Sequence, residues 1–414
     1  MKRVVVVGGG VIGLCTAYYA ALRGHEVTVI DQREDAHEGC SYGNAGMVVP
    51  SHFVPLAAPG MVALGLKWMW NPESPFYIKP RFDLGLWSWA FKFWRAASAE
   101  HVKRSAPLLR DLSFASRACF QELAKEFDFG LVQRGLLMLC KTQHSLDEEG
   151  KMAEEAERLG VQAKVLSAKD AAQLDPSVTM DVAGAVYFPK DCHLSPALFM
   201  AGLKKHLVDA GVKFAWGTNV LSFERDGARV KSARTSTGDF PGDEFVIAGG
   251  SWSPSIANDL GINLPMQAGK GYSVTLQNPK QLPQICAIFT EARVAVTPMG
   301  STLRFGGTME IAGLNEEINW TRVQGIIKSV PKYYPRFSAE DFRDVKPWCG
   351  LRPCSPDGLP YIGRAKSWQN VCVATGHAMM GLSLGPVSGR LVSQVISGEK
   401  TEIDVSLLNP NRYS

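Results

Sequence analysis

Six residues near the start of the chain, Gly8-Gly9-Gly10-Val11-Ile12-Gly13, have the spacing of a phosphate-binding turn. In the pattern G-x-G-x-x-G, Gly8 permits a tight turn, Gly10 lets the backbone approach a pyrophosphate, and Gly13 lets a helix close on a strand. The amides and positive end of the following helix would hold the diphosphate charge. Asp31, 18 residues beyond Gly13, stands where a carboxylate hydrogen-bonds the adenosine ribose hydroxyls. That carboxylate argues against an NADP-type 2′-phosphate, although Arg33 is close by. The chemistry indicated is dinucleotide binding, with a plain glycine turn and a surface Asp as the alternative; the motif does not separate FAD from NAD. Far along the chain, Arg352 stands in a Gly/Pro-rich turn as Leu351-Arg352-Pro353. Its planar guanidinium suits a planar carboxylate, or else pairs with nearby Asp357. His377, in Thr375-Gly376-His377, has no Asp or Glu near in sequence to orient it as a base, so backbone and packing contact is its expected part.

The elements that must position these residues follow from periodicity. The β-branched run Val4 to Val7 predicts a buried parallel strand, Val11 to Arg23 a helix ended by Gly24, and Glu26 to Ile30 a second strand, completing βαβ. Residues 211–220, the Ser222-Phe223-Glu224 segment with its Arg225-Asp226-Gly227 turn, and Phe245 to Gly250 predict strands returning to that first sheet. Alternation from Ala268 to about Ile311 predicts antiparallel strands of a second domain; Val371 to Ala374 predicts a strand and Leu382 to Ile396 a helix. Helical sequence also runs from His101 to Phe129 and from Ser145 to Gly160. The expected fold class is α/β: a Rossmann-like nucleotide domain from about 1–80, 150–255 and 345–414, and a smaller antiparallel-sheet substrate domain from about 81–149 and 256–344.

Composition narrows the function. At 414 residues the chain exceeds what one core sustains. Its 44 Lys and Arg against 40 Asp and Glu are dispersed, so no basic face exists for nucleic acid. Nine cysteines without a C-x-x-C pair or zinc-finger spacing argue against both a disulfide framework and a metal site. No secretory signal or spanning segment is legible, so a cytoplasmic location is expected. Trp68, Trp70, Trp87, Trp89 and Trp94 are five of the ten tryptophans and fall within 27 residues. Leu86, Trp89, Ala90, Phe93 and Trp94 would share one helical face, either an interfacial anchor or a helix packed on its own protein or a partner.

Four further segments make the reading specific. They are Gly39-Cys40-Ser41-Tyr42-Gly43-Asn44-Ala45-Gly46, Phe245 to Trp252 (FVIAGGSW), Gly350 to Gly363 (GLRPCSPDGLPYIG) and Thr375 to Leu382 (TGHAMMGL). In this order they resemble the FAD-dependent amine oxidoreductases of the D-amino-acid oxidase superfamily, above all the bacterial D-amino-acid dehydrogenases of the small-subunit type. The resemblance implies FAD, held non-covalently because Cys349 is one residue from where related sarcosine oxidases attach flavin. It implies that Ser41, Asn44, Ala45 and Gly46 meet the pyrophosphate, ribityl chain and flavin, that Val220 pairs with adenine through its backbone, and that Gly249 and Trp252 close the adenosine side. Val220 reads equally well as a buried strand residue. Gln32, Gly350, Gly376, His377, Met380, Gly381 and Leu382 join the cofactor set, and a helix beginning near Gly381-Leu382 would aim its positive end at the flavin pyrimidine edge.

The resemblance gives Arg352 the substrate carboxylate, with Tyr272 and Arg304 closing the pocket. Met379 stands near where glycine oxidases carry a second arginine, which implies an apolar side-chain pocket. The implied reaction is oxidation of a D-amino acid, D-proline or 4-hydroxy-D-proline among them, by hydride transfer from Cα to flavin N5, the imine of a primary amine then hydrolysing to a 2-oxo acid and ammonia. Electrons would pass to a quinone or respiratory acceptor, with peripheral contact at the inner face of the cell membrane or with a partner subunit. A peroxide-forming sarcosine or glycine oxidase, and the FAD-binding subunit of a heteromeric opine or amino-acid dehydrogenase, are the alternatives.

Overall fold

The computed structural model describes residues 1–37, 39–68 and 74–414; Trp70 lies outside the described residues. One six-stranded sheet runs in the order Tyr361–Arg364, Val371–Thr375, Glu244–Ile247, Arg3–Val7, Glu26–Ile30, Lys213–Ala215. All neighbours are parallel except the edge strand Tyr361–Arg364, which pairs antiparallel. Val4 to Val7 are buried on both faces, as a strand covered by helices on each side must be. The helix Val11–Leu22 follows at once and ends where Gly24 takes a positive φ of 75°. It packs against the helix Gly385–Ser397 so closely that a side-chain carbon on Gly389 would overlap the Cys15 backbone. Residues 3 to 30 thus complete their core with residues from the far end of the chain.

The second sheet has nine strands: Trp348–Cys354, Gln267–Leu276, Thr302–Ile311, Val294–Met299, Cys286–Phe289, Leu136–Cys140, Gly184–Phe188 and Lys164–Ser167 in order, with Phe76–Ile78 beside Thr302–Ile311. The helix Trp320–Tyr333 lays Val323, Ile326, Ile327 and Val330 onto it, against Phe289 and Phe305. The antiparallel strands expected between 268 and 311 are present. Among the described residues, no helix is long and apolar enough to cross a membrane.

Three expectations need correction. The segment from 220 does not rejoin the first sheet: Val220–Asp226, Arg229–Thr235 and Gly238–Pro241 form a separate three-stranded antiparallel sheet. The turn at Gly227 (φ 57°) closes a local hairpin, and Glu224, Arg225 and Asp226 suit a solvated surface rather than a sheet interior. The strands Lys164–Ser167 and Gly184–Phe188, expected with the nucleotide half, extend the second sheet, as do Phe76–Ile78 and Trp348–Cys354. Apolar short strands such as Gly184-Ala185-Val186 carry no periodicity that selects a sheet; partners 44 to 48 residues away in sequence select it. The last helix begins at Gly385, not Leu382, because Ala378–Met380 forms a tighter 3₁₀ turn and Leu384 N bonds Met380 O before Pro386 opens the helix.

The aromatic helix is Leu84–Ala96, capped by the Asp83 side chain accepting from Leu86 N. Trp89 is buried, stacks on Phe93 and donates its indole N–H to Cys354 O at 2.9 Å. Trp94 does not share that face: it is exposed with its ring 6.0 Å from that of Phe91, and Trp87, Phe82 and Leu84 are exposed as well.

Candidate active site

A cavity of about 740 Å³ runs between the two sheets, within the range that holds a cofactor-sized ligand. Its nucleotide end is made mostly of backbone. Gly8 turns at φ 120°, and a side-chain carbon there would meet Ala248 O, while one on Gly13 would overlap the Gly8 carbonyl. Gly13 is therefore a packing residue away from the wall, whereas Gly8, Gly10, Val11 and Ile12 line the cavity. Gly10 caps the first helix without a side-chain hydrogen bond, and only Ser41 Oγ, at 3.5 Å, stands near where its Cβ would be. Ser41 Oγ accepts the Val11 N–H at 3.0 Å. This cradle, which side chains would fill, fits a diphosphate. Asp31 accepts from Gly9 N (2.6 Å) and Arg33 N (2.8 Å), which fixes its carboxylate beside Gln32 on the wall.

Val220, Gly249 and Trp252 line the same end, with the Arg33 guanidinium 5.7 Å from the Trp252 ring. Trp216, unremarked in the sequence, closes it: its ring stacks on Phe214 at 5.2 Å, and a Cβ on Gly9 would lie 2.5 Å from it. Lys204 Nζ sits 5.6 Å from that ring and 5.7 Å from Tyr42. Trp216 follows directly on the observed strand Lys213–Ala215, inside the 211–220 segment, and no sequence pattern singles it out.

The middle of the cavity is bounded by Asn44, Ala45, Gly350, His377, Met380, Gly381 and Leu382. Asn44 Oδ1 accepts Gly46 N at 2.9 Å, and Gly46 itself (φ 75°) lies behind the wall, where a side chain would strike Leu194 O. Gly376 is likewise a turn residue, packed on Tyr361. The Trp348 ring wedges between Gly43 and Gly350, which leave no room for side chains. His377 is buried with Nε2 2.9 Å from Ser388 Oγ and Nδ1 unpartnered; burial pushes its pKa down to about 3, so the ring is neutral. Cys349 lies off the wall and donates its Sγ–H to Glu316 O at 2.9 Å.

Arg352 marks the other end. Its strand Trp348–Cys354 pairs with Gln267–Leu276, and its guanidinium lies over Gly271, where a side chain would overlap it. Asp357, the alternative partner, is taken by Arg412 through bonds of 2.7 and 3.0 Å. Arg352 makes no ion pair among the described residues; its one protein acceptor is Thr308 O at 2.6 Å. Burial holds its pKa below the usual arginine value. A half-buried guanidinium on a cavity wall without a counter-ion is a site for an anion. Thr308 carries a φ of 58°, unusual for a β-branched residue, opposite a register shift between Lys270 and Tyr272. That bulge turns its carbonyl onto Arg352, a placement no sequence pattern announces.

Tyr272 lines the cavity, but its hydroxyl donates to Glu310 Oε2 at 2.6 Å, and burial raises its pKa. Arg304 is not on the wall. It donates to Tyr42 O (2.9 Å), Asn44 O (2.8 Å) and Thr275 Oγ1 (3.1 Å), so it holds the 41–46 loop on the second sheet. Met61, Met309, Met379 and Pro353 add apolar surface to the cavity wall.

Known proteins match the chain along its whole length. A D-amino acid dehydrogenase of Bradyrhizobium diazoefficiens is 33% identical over 423 residues, covering 100% of this chain and 99% of the relative. One of Agrobacterium fabrum is 33% identical over 420 residues, covering both chains fully, 100% and 100%. Glycine oxidase from Geobacillus kaustophilus superposes with a TM-score of 0.80 at 23% identity over 100% of both chains. L-proline dehydrogenase from P. horikoshii superposes at 0.76 and 19% identity, over 100% of this chain and 97% of that one; both likenesses speak to fold. The model of the DAO family, described as FAD dependent oxidoreductase, matches residues 3–395. The cradle at Gly8 to Gly13 fits the dinucleotide part of that cofactor, and the chain belongs to the DAO family of FAD-dependent oxidoreductases.

Proposed function

We propose that the protein is a dehydrogenase of D-amino acids, with cyclic substrates such as D-proline or 4-hydroxy-D-proline favoured. The observation that carries this reading is Arg352: a guanidinium on the wall of a cavity that also has apolar lining, with no carboxylate partner among the described residues. Arg352 binds the substrate carboxylate as a planar pair. Gly271 leaves space for the guanidinium and Thr308 O orients it. The apolar lining receives the side chain and excludes water. Bound FAD, held non-covalently, supplies the acceptor for a hydride from the substrate Cα. The relatives named D-amino acid dehydrogenase support the D series.

The acceptor in this reading is a quinone. Trp87, Phe91 and Trp94 are 65%, 57% and 61% exposed on one helix that also carries Lys92 and Arg95, the makeup of a face that rests on a lipid surface. The protein is then cytoplasmic and peripheral on the membrane's inner face.

Anaerobic titration of the purified holoprotein with D- and L-amino acids tests the reading. Bleaching of the flavin absorbance by D-isomers, with D-proline among the strongest, is expected, and slow recovery in air points away from an oxidase. Bleaching by glycine or sarcosine with peroxide on aeration overturns it in favour of an oxidase.

A further inference from the structure

One side-chain chain reaches the cavity from a residue that neither FAD nor Arg352 uses. Asp191 is fully buried, at 0% exposure, and makes no ion pair among the described residues. Its Oδ1 accepts from Ser51 N at 3.1 Å and its Oδ2 from Ser51 Oγ at 2.5 Å. Ser51 Oγ in turn lies 2.9 Å from Nδ1 of His52. His52 lines the cavity, and no protein group among the described residues hydrogen-bonds its Nε2. The line is held at both ends by backbone pairing: Met47 and Val48 pair with His193 and Cys192, next in sequence to Asp191. Leu194 N bonds Gly46 O at 2.8 Å, so the assembly is continuous with the 41–46 loop on the cofactor.

The electrostatics suit a proton acceptor near neutrality. Burial pushes the Asp191 carboxyl up to about 7 against the opposing pull of Ser51 and Arg117, with Cys192 and Cys286 as the other titratable neighbours. His193, adjacent in the strand, is held neutral by burial at about 4. Burial and the facing Arg293 likewise push His52 down to about 4, so its ring transmits a proton without storing one.

We propose that Asp191, Ser51 and His52 form a proton relay, in which His52 Nε2 takes a proton from the substrate's ammonium group and Asp191 stores it. The inference rests on the amino-acid reading of the site. An amino acid arrives as an ammonium ion, and only the neutral amine has the lone pair that expels a hydride from Cα. The substrate N–H bond breaks and Nε2–H forms. The Nδ1 proton passes to Ser51 Oγ, whose own proton passes to Asp191 Oδ2. Substrate loses one positive charge, Asp191 loses its negative charge, and His52 and Ser51 end neutral. After product leaves, the reverse transfers return the proton to water in the cavity.

Rapid-mixing reduction of the holoenzyme by D-proline across neutral pH decides the matter. In the natural protein the reduction rate constant divided by Kd rises through an ionisation near 7. In Asp191→Asn that ionisation disappears, and at neutral pH both it and His52→Gln fall by about 100-fold, with FAD retained. Wild-type rates and pH profile in His52→Gln overturn the relay, and His52→Gln decides alone if Asp191→Asn fails to hold FAD. If no amino acid bleaches the natural enzyme, the functional reading has failed, and infrared spectroscopy judges the relay. A protonated-carboxyl band that titrates near 7, shifts in Ser51→Ala and vanishes in Asp191→Asn keeps it, and absence of that band overturns it.

Discussion

The two ends of the cavity recognise their ligands in opposite ways. At the nucleotide end, the phosphate cradle and its carboxylate lie within residues 8–31, where glycines and helix amides do the work, and Trp216, Val220, Gly249 and Trp252 only close the adenosine side. At the Arg352 end, a side chain from one strand is shaped by Gly271 on a second and Thr308 on a third, brought together only by sheet register. Backbone recognition is local and intolerant of added atoms. Side-chain recognition is assembled over long range, and its failure leaves the fold standing.

That contrast is breakable by substitution. Gly13→Ala places a carbon onto the Gly8 carbonyl, and neither helix nor turn has a flexible end to move. It is expected to destabilise the protein by about 3 kcal/mol or more and to abolish FAD retention on gel filtration. Arg352→Lys keeps FAD and the thermal midpoint but lowers kcat/KM by roughly 30- to 1,000-fold, about 2–4 kcal/mol, chiefly through KM. An unchanged KM would remove Arg352 from the substrate site. Gly271→Ala touches the same guanidinium from behind and only shifts it, so KM rises by about 10-fold with folding nearly intact. If it instead unfolds the protein, the substrate end is as intolerant as the nucleotide end and the contrast fails.

The smallest effect is on acid stability. His377, His52 and His193 are held neutral, with pKa values near 3, 4 and 4. A depressed histidine stabilises the fold above about 6.5 and loses that contribution as pH falls toward its folded value. Asp191, raised to about 7, acts in the opposite sense, because the fold prefers its protonated form as pH falls from 7 toward 4. Three depressed histidines outweigh one raised carboxyl, so the thermal midpoint declines on acidification below about 6. His377→Gln flattens that decline in a melting series, whereas a slope identical to the natural protein's would mean His377 does not titrate with unfolding.

Much of the nucleotide end was legible because its signals are contiguous: the valine strand, the spaced glycines, Asp31 and the stop at Gly24 fall within one βαβ unit. Arg352 was legible from its motif, but its freedom from Asp357 was not, since Arg412 lies 55 residues further on. Arg304 was misplaced for a related reason. An arginine on a strand facing the cavity half is as well suited to holding a loop's carbonyls as to binding substrate, and only the position of residues 42 and 44 decides between them. Trp216, Thr308 and His52 were silent because an isolated residue has no pattern to report. The hairpin after Val220 was misassigned because apolar alternation does not say which sheet a strand joins.

The interlock between the first helix and Gly385–Ser397 bears on how the protein is made. The strand Arg3–Val7 pairs with residues 244–247, which pair with 371–375. A nascent chain that has emerged through residue 250 therefore holds the phosphate-binding turn but lacks the helix that buries its back. Cofactor capture must wait until nearly all of the chain has left the ribosome, while the apolar face of the first helix stays uncovered.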